Sequence, residues 1–496
     1  MNRTERISGS GRGRNATGGT QLSRRVVKVM GMFAGLQSAG IICSVVKMKL
    51  VSIWLGSAGV ALFGILSTAQ ETIATFTDLG LRQSTVRDVA SQEGDPSGLA
   101  RVAMLVRRWS LLAGLLGASV MLALSPTLGQ WFFGDFKGFV PFALVAIAMF
   151  FNCLLYGEQS LLQGTGLLRA LARGSLWGTV VGLALSVPMF RWMGQESVPL
   201  SFIVYSVAIW GFTLYWRFRP AKRVASPGLR QLWREGKGFV RLGILMSLAA
   251  FLTSLSRLVF VALLTRHSSL DVTGLYQAGD TLVSRYIGLI FTAISMEFFP
   301  RIVAASRSRR RTSAYVNHEI TLLLTVVTPV ALIFILCRSL IVSILYSSDF
   351  EPILTFISLA MVGTVMKAVS WCLALCIVAR GDGRIYLATE GIDALLSLGL
   401  LYGGYLLFGL DGLGWAYILW NLGYVVIVWI ACRRSYALAP SRRTTLTAVL
   451  SVALCALACA AMQWLPLWLA ACLILPAAAA YILPLRRMLS RSRRQQ

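Results

Sequence analysis

Apolar residues run in blocks of about twenty along nearly the whole chain, separated by short polar stretches that hold most of the charge. About fourteen such blocks are long enough to cross a bilayer as helices. They lie near 29–52, 57–79, 109–126, 139–157, 174–194, 198–216, 240–263, 272–299, 319–346, 352–379, 386–408, 411–432, 444–463 and 466–485. No alternating run competes with this pattern, so the expected fold class is all-α: a polytopic inner-membrane protein with about 14 transmembrane helices.

The polar stretches are not equivalent. With both termini on the cytoplasmic side, the inner segments collect nearly every cation. These are the arm from Arg3 to Lys28, the loop with Arg82, Arg87, Arg101, Arg107 and Arg108, the stretch from Arg217 to Arg241, and Arg301 to Arg311. Arg433, Arg434, Arg442, Arg443 and the tail from Arg486 continue the series, whereas the outer loops hold Lys137, Arg191 and Arg266. Such asymmetry is the positive-inside rule. It predicts a cytoplasmic basic arm over 1–26, disordered and without a cleavable signal, and a basic linker over 217–241. A basic tail over 486–496 completes the cytoplasmic set.

Composition confirms the solvent. Hydrophobic residues make up 56% of the 496 and charged residues 14%. Soluble domains carry about 25% charged residues. The mean hydropathy is +0.70. A soluble enzyme, a secreted module and a disordered scaffold are thereby excluded. The net charge of +27 follows from the inner loops and calls for no nucleic acid. Nine cysteines, all in apolar runs, suggest buried thiols rather than a disulfide framework, and His267 and His318 lie too far apart to start a metal site. No cofactor is expected. The short outer loops also leave little room for catalytic groups, so an enzyme is not expected.

Two stretches resemble one another. Ala61-Leu62-Phe63, after an outer turn, is matched by Gly274-Leu275-Tyr276, and each stretch ends in a basic inner loop, at Val86–Ala90 and Pro300–Ala304. The match equates the first span with the seventh and the second with the eighth. It divides the chain into two six-helix halves, 27–216 and 242–434, around a central cavity, with an extra helix pair over 435–485.

Ionisable groups at bilayer depth are costly and face water or one another. At about 1.5 Å per residue, Glu71, Arg285 and Lys367 fall near the middle of their spans. Lys47, Lys49, Arg257 and Arg338 fall in the outer half, and Asp280 lies on the same span as Arg285. Asp78, Glu297, Glu390 and Asp393 lie near the inner ends, where snorkelling to a solvated helix end explains them. Lys47, Lys49, Arg257, Arg285 and Lys367 are therefore candidate cavity cations, suited to an anionic diphosphate through Arg forks and Lys point charges. Glu71 and Asp280 are candidates for ion or proton coupling. A structural ion pair, with Glu71 or Asp280 as plain counter-ion, is the competing account.

The stretch Leu55-Gly56-Ser57-Ala58-Gly59-Val60-Ala61-Leu62-Phe63-Gly64, followed by Asp78-Leu79-Gly80-Leu81-Arg82 and Val86-Arg87-Asp88-Val89-Ala90, resembles the opening hairpin of Wzx-type polysaccharide flippases. These belong to the MOP superfamily, with the MATE exporters and the lipid II flippase MurJ. Wzx proteins commonly show twelve spans, and a count of fourteen is more similar to MurJ. The resemblance implies a flippase for undecaprenyl-diphosphate-linked oligosaccharide, moved from the cytoplasmic to the periplasmic leaflet by alternating access. The implied partners are that lipid-linked glycan, membrane lipid, and a polysaccharide polymerase with its chain-length protein. The rival readings are a MATE-like exporter, whose first helix would offer an acid where this one has Lys47 and Lys49, and a membrane-embedded glycan polymerase or transferase.

Overall fold

The computed structural model describes residues 15–78, 85, 89, 95–135, 138–217, 229–306 and 308–495. Arg82, Arg87, Lys137 and Arg307, the segments 1–14 and 218–228, and most of the Asp78–Arg82 and Val86–Ala90 motifs lie outside them, as do the side chains of Asp78 and Glu297.

Helix α1 (15–55) runs to Gly56, whose backbone adopts φ 66° and ψ −163°, and α2 (57–78) follows. The chain folds back there. Lys47 Nζ sits 4.2 Å from the centre of the Phe63 ring, whereas sixteen residues of straight helix would span about 24 Å. Only glycine adopts such a positive φ without steric cost. Helix α3 (Pro96–Phe133) begins with Asp95 accepting from the Ser97 amide and Pro96 in the first turn, and stops at Gly134 in the left-handed region. Helix α4 (Phe139–Gly164) returns, and α5 (Leu168–Met193) and α6 (Ser197–Tyr215) form the next hairpin.

That hairpin is zipped by glycine. Gly174, Gly178 and Gly182 recur every fourth residue and face Thr213, Ile209 and Tyr205 on α6. A Cβ on Gly178 would lie 2.4 Å from the Ile209 Cα, so the two backbones meet directly.

The second half begins with α7 (Leu229–His267). Next come α8 (Leu270–Asp280), a π-helical turn over Thr281–Tyr286, and α9 (Ile287–Ala305), which together make one pass. Then follow α10 (Arg309–Leu336), the short α11 (Arg338–Leu345), and α12 (Leu354–Ala379). A second glycine reversal at Gly409, φ 64°, separates α13a (383–408) from α13b (410–436). The limbs meet: Trp420 Nε1 donates to Asp393 Oδ1 at 2.7 Å. Helices α14 (Arg442–Trp464) and α15 (Leu467–Gln495) pack on α10 and α12.

Among the described residues, nine stretches are long and apolar enough to span a membrane. Three of them, 40–77, 168–215 and 383–436, are hairpins that cross twice. The pass through α8 and α9 and the apolar start of α15 bring the passes to the expected fourteen, which puts both described ends on one face. Trp131, Trp192, Trp464 and Trp468, all exposed, lie near helix ends on the opposite face, as an interfacial aromatic belt does.

Several boundaries differ from the hydropathy reading, with α3 starting at Pro96 instead of near 109 and α10 at Arg309 instead of near 319. Helix α1 starts at Asn15, within the arm read as disordered over 1–26, and α7 starts at Leu229, within the stretch read as linker over 217–241. Helical extensions of a span with polar, Arg-containing sequence are invisible to an apolar window. The ninth span stops at Leu336, because Cys337 leaves helical geometry, so Arg338 opens α11 instead of lying inside a span.

Gly178→Ala should push α5 from α6 and destabilise the protein by about 1–3 kcal/mol. Gly211→Ala, where an added Cβ meets nothing within 4 Å, should not. Melting of the purified variants in detergent tests this: equal midpoints would show that the glycine zipper is not a close contact.

Candidate functional site

On the face opposite the termini the two halves are shut against each other. Gly274 on α8 lies so close to α2 that a Cβ there would sit 2.0 Å from the Ser57 carbonyl oxygen and 3.2 Å from the Ala61 nitrogen. Ala61 and Gly274 are the paired small residues of the internal repeat, and the repeat brings them together. Ser57 Oγ donates to Asp271 Oδ1 across the same contact. A second tie is made by Lys49, whose ammonium donates to the carbonyls of Ser343, at 2.6 Å, and Tyr346 at the C-terminal end of α11. Orphan carbonyls and the negative end of the helix dipole make that end a natural seat for a cation. Ser347 Oγ, 3.4 Å from the Ser52 carbonyl, completes the closure.

On the termini side of this closed layer lies a cavity of about 720 Å³ between the halves. Gln70 and Glu71 from α2, Asn152 and Tyr156 from α4, Ser247 from α7 and Arg285 from the π-helical turn give its polar lining. A second cavity of about 290 Å³ lies inside the second half, lined by Arg285, Lys367, Thr364 and Trp371 among others. Arg285 lines both cavities. Both volumes fall at or within the range of ligand pockets, about 300–1,000 Å³.

The expected cavity cations are treated very differently. Arg285 and Lys367 have no ion-pair or hydrogen-bond partner among the described residues, and both line cavities. Lys47 instead stacks between the Phe63 and Tyr205 rings, 4.2 Å and 4.4 Å from their centres, inside the first half. Lys49 belongs to the closed layer. Arg257 is ion-paired with Asp280, which also accepts from Ser284 Oγ at 2.8 Å. Asp280 is therefore a counter-ion here, while Glu71 is exposed to the large cavity. Arg338 clips α11 to its neighbours through Ser358 Oγ at 2.8 Å and the Met462 carbonyl at 3.2 Å.

The acids Glu390 and Asp393 are not the solvated helix end that the hydropathy reading assigned them. They are packed under α13b, where Tyr424 Oη donates to Glu390 at 2.5 Å and Trp420 to Asp393. The signal was present: acids three apart on one limb of a hairpin face donors four apart on the other. Two further residues escaped sequence reading. Glu158 on α4 receives a two-pronged contact from Arg107 on α3, Nε to Oε1 at 2.6 Å and Nη2 to Oε2 at 3.1 Å. Gln277, 3% exposed, packs on Gly64 where the halves cross.

Residues 60–355, from α2 to the start of the pass through α12, match the family described as polysaccharide biosynthesis protein. The chain belongs to this polysaccharide biosynthesis family. Over 349 residues it is 22% identical to a lipid III flippase of Escherichia coli K12, covering 69% of this chain and 82% of that protein. Its fold is that of MOP-superfamily transporters. An inward-facing multidrug resistance MATE transporter superposes with a TM-score of 0.67 at 15% identity, covering 80% of this chain and 94% of the other. The lipid II flippase MurJ, in an inward closed conformation, does so with 0.64 at 11% identity, covering 93% and 99%. The family match includes Arg285 and ends before Lys367, so this pair spans matched and unmatched sequence.

The closed layer predicts sidedness. With the nine native cysteines replaced, Ser67→Cys in the cavity should react with a membrane-impermeant maleimide from the termini side and not from the opposite side, and Ser269→Cys, exposed in the turn before α8, the reverse. Labelling of both from one side would contradict a single barrier between them.

Proposed function

We propose that this multi-pass membrane transporter is a flippase that carries an undecaprenyl-diphosphate-linked oligosaccharide from the cytoplasmic to the periplasmic leaflet of a bacterial inner membrane by alternating access. The charge asymmetry of the loops supports placing both termini in the cytoplasm. The cavity between the halves then faces the leaflet on which such a lipid is assembled. The observation that carries the reading is the pair of cations Arg285 and Lys367, unpartnered among the described residues at mid-membrane depth and set in cavities. A cation that faces a cavity without a close protein partner is ready for a diphosphate, and a guanidinium can hold two phosphate oxygens at once. The relative's name, lipid III flippase, supports the same class of cargo. An organic-cation exporter would gain nothing from this lining, and α1 presents Lys47 and Lys49 where such an exporter needs an acid.

Resetting a basic site after the anion leaves needs a charge change, and Glu71 in the same cavity supplies a carboxylate for it. A polymerase and its chain-length protein would consume the product on the far leaflet.

The test is export in cells and flipping in vesicles. Arg285→Ala and Lys367→Ala should each lower surface polysaccharide at least about tenfold with the amount of membrane protein unchanged, as expected for a lost charged hydrogen bond. Export that falls only in step with protein amount would make both residues structural. Glu71→Gln should abolish the response of vesicle flipping to an imposed pH gradient. A wild-type protein that ignores the gradient would remove proton coupling.

A further inference from the structure

The two cavities differ in chemistry, and the difference divides a bipartite substrate. In the second half's own cavity the charged members are Arg285 and Lys367. Its hydroxyls have their protons committed: Ser284 donates to Asp280 at 2.8 Å, Thr292 to the Gly288 carbonyl at 3.0 Å, and Thr364 to the Ala360 carbonyl at 2.9 Å. A hydroxyl in that state offers a ligand its oxygen lone pairs, so the three present acceptors. The Trp371 ring has a fixed plane, because its Nε1 donates to Ser295 Oγ at 2.9 Å and Phe291 packs against it at 5.6 Å between ring centres. Two cationic donors, three acceptors and a flat apolar face complement one class of ligand: a phosphate that carries a sugar ring. The cations meet the phosphate oxygens, the hydroxyl oxygens receive the sugar's O–H groups, and the indole covers an apolar ring face.

The first half offers the opposite. Its membrane cations are already engaged, Lys47 between two aromatic rings and Lys49 on carbonyls of the closed layer. What it turns to the large cavity is neutral or acidic: Gln70, Glu71, Asn152 and Tyr156. That lining suits uncharged sugars and repels phosphate. Arg285 lines both the smaller volume, 290 Å³, and the larger, 720 Å³.

We propose that the second half alone binds the diphosphate and the sugar attached to it, in the cavity between Arg285, Lys367 and Trp371, and that the rest of the glycan lies against the first half. This rests on the flippase reading and adds to it where the anion sits. During the cycle the anionic end then stays with one half, and the contacts that must break and reform are those of neutral sugars with the other.

Binding to the full-length protein, measured by native mass spectrometry with undecaprenyl diphosphate and with undecaprenyl diphosphate bearing one N-acetylglucosamine, tests this. Arg285→Gln and Lys367→Gln should weaken both lipids at least about tenfold, and Thr292→Val and Thr364→Val should weaken the sugar-bearing lipid alone, about three- to tenfold. Lys47→Gln should leave the affinity for both within about twofold, too small a change for a lost charged hydrogen bond. If Lys47→Gln weakens undecaprenyl diphosphate as much as Lys367→Gln does, the anion spans both halves and the proposal is wrong. If the threonine variants weaken both lipids equally, or neither, the cavity is no sugar-phosphate site, while the flippase reading stands. A wild-type protein that binds neither lipid would instead overturn that reading. Lys367→Arg, which keeps the charge, should restore binding of undecaprenyl diphosphate, and its melting point separates loss of charge from loss of fold.

Discussion

Hydrocarbon gives an ion nothing to interact with, and this protein's interior is arranged around that deficit. Placing a Lys or Arg at mid-span costs about 2.5–3.5 kcal/mol on insertion scales. Each cation in these helices must recover the cost from a partner or from water. The structure answers in four ways: aromatic faces for Lys47, helix-end carbonyls for Lys49, a carboxylate for Arg257, and a hydroxyl with a carbonyl for Arg338. Arg285 and Lys367 make no hydrogen bond or close ion pair among the described residues and border open volume, with Glu390 and Asp393 within electrostatic reach of Lys367. Function is read from what remains after structure has taken its share.

The same economy shapes the backbone. A hairpin that reverses within a residue or two at a membrane face needs a backbone conformation that glycine reaches most easily. Gly56 and Gly409 accomplish this with positive φ, one in each half. Small residues then let the halves approach. Gly274 against Ser57 closes one face, Gly64 makes room for Gln277, and the Gly174–Gly178–Gly182 row lets α5 lie on α6. In lipid, where apolar contact with a tail is as good as contact with a helix, such close backbone approach is what favours one packing over others.

How far the sequence could be read follows from these two constraints. Hydropathy depends on composition alone, so the all-α class and the fourteen passes were legible, as was the hairpin around Ala61 and Gly274. Depth along a helix was legible too, which is why Arg285, Lys367 and Glu71 were singled out before the structure placed them at cavity walls. The direction a side chain faces, and what awaits it there, was not. Lys49 and its acceptor carbonyls are 294 and 297 residues apart, and no local pattern announces them. Asp280 and Arg257 looked like two separate functional groups and are one ion pair. Glu390 and Asp393 looked solvated because they sit near a helix end, yet the next limb of the hairpin covers them. Arg338 was misplaced by a helix break at Cys337 that an apolar window runs straight through.

On the alternating-access reading proposed above, the closed layer would have to part, and the nature of the closure bears on how. The barrier opposite the termini sets three close ties beside a shared apolar core: a serine on an aspartate, a lysine on two carbonyls, and backbone against backbone at Gly274. Each polar tie exchanges with water at little net cost, because water replaces the partner as the gap opens. The glycine contact depends on surface fit and is lost all at once, since close packing does not stretch. Such a layer favours two discrete states over a gradual opening. The large cavity lies directly behind it. On the alternating-access reading, parting of this layer would open the large cavity to the opposite side.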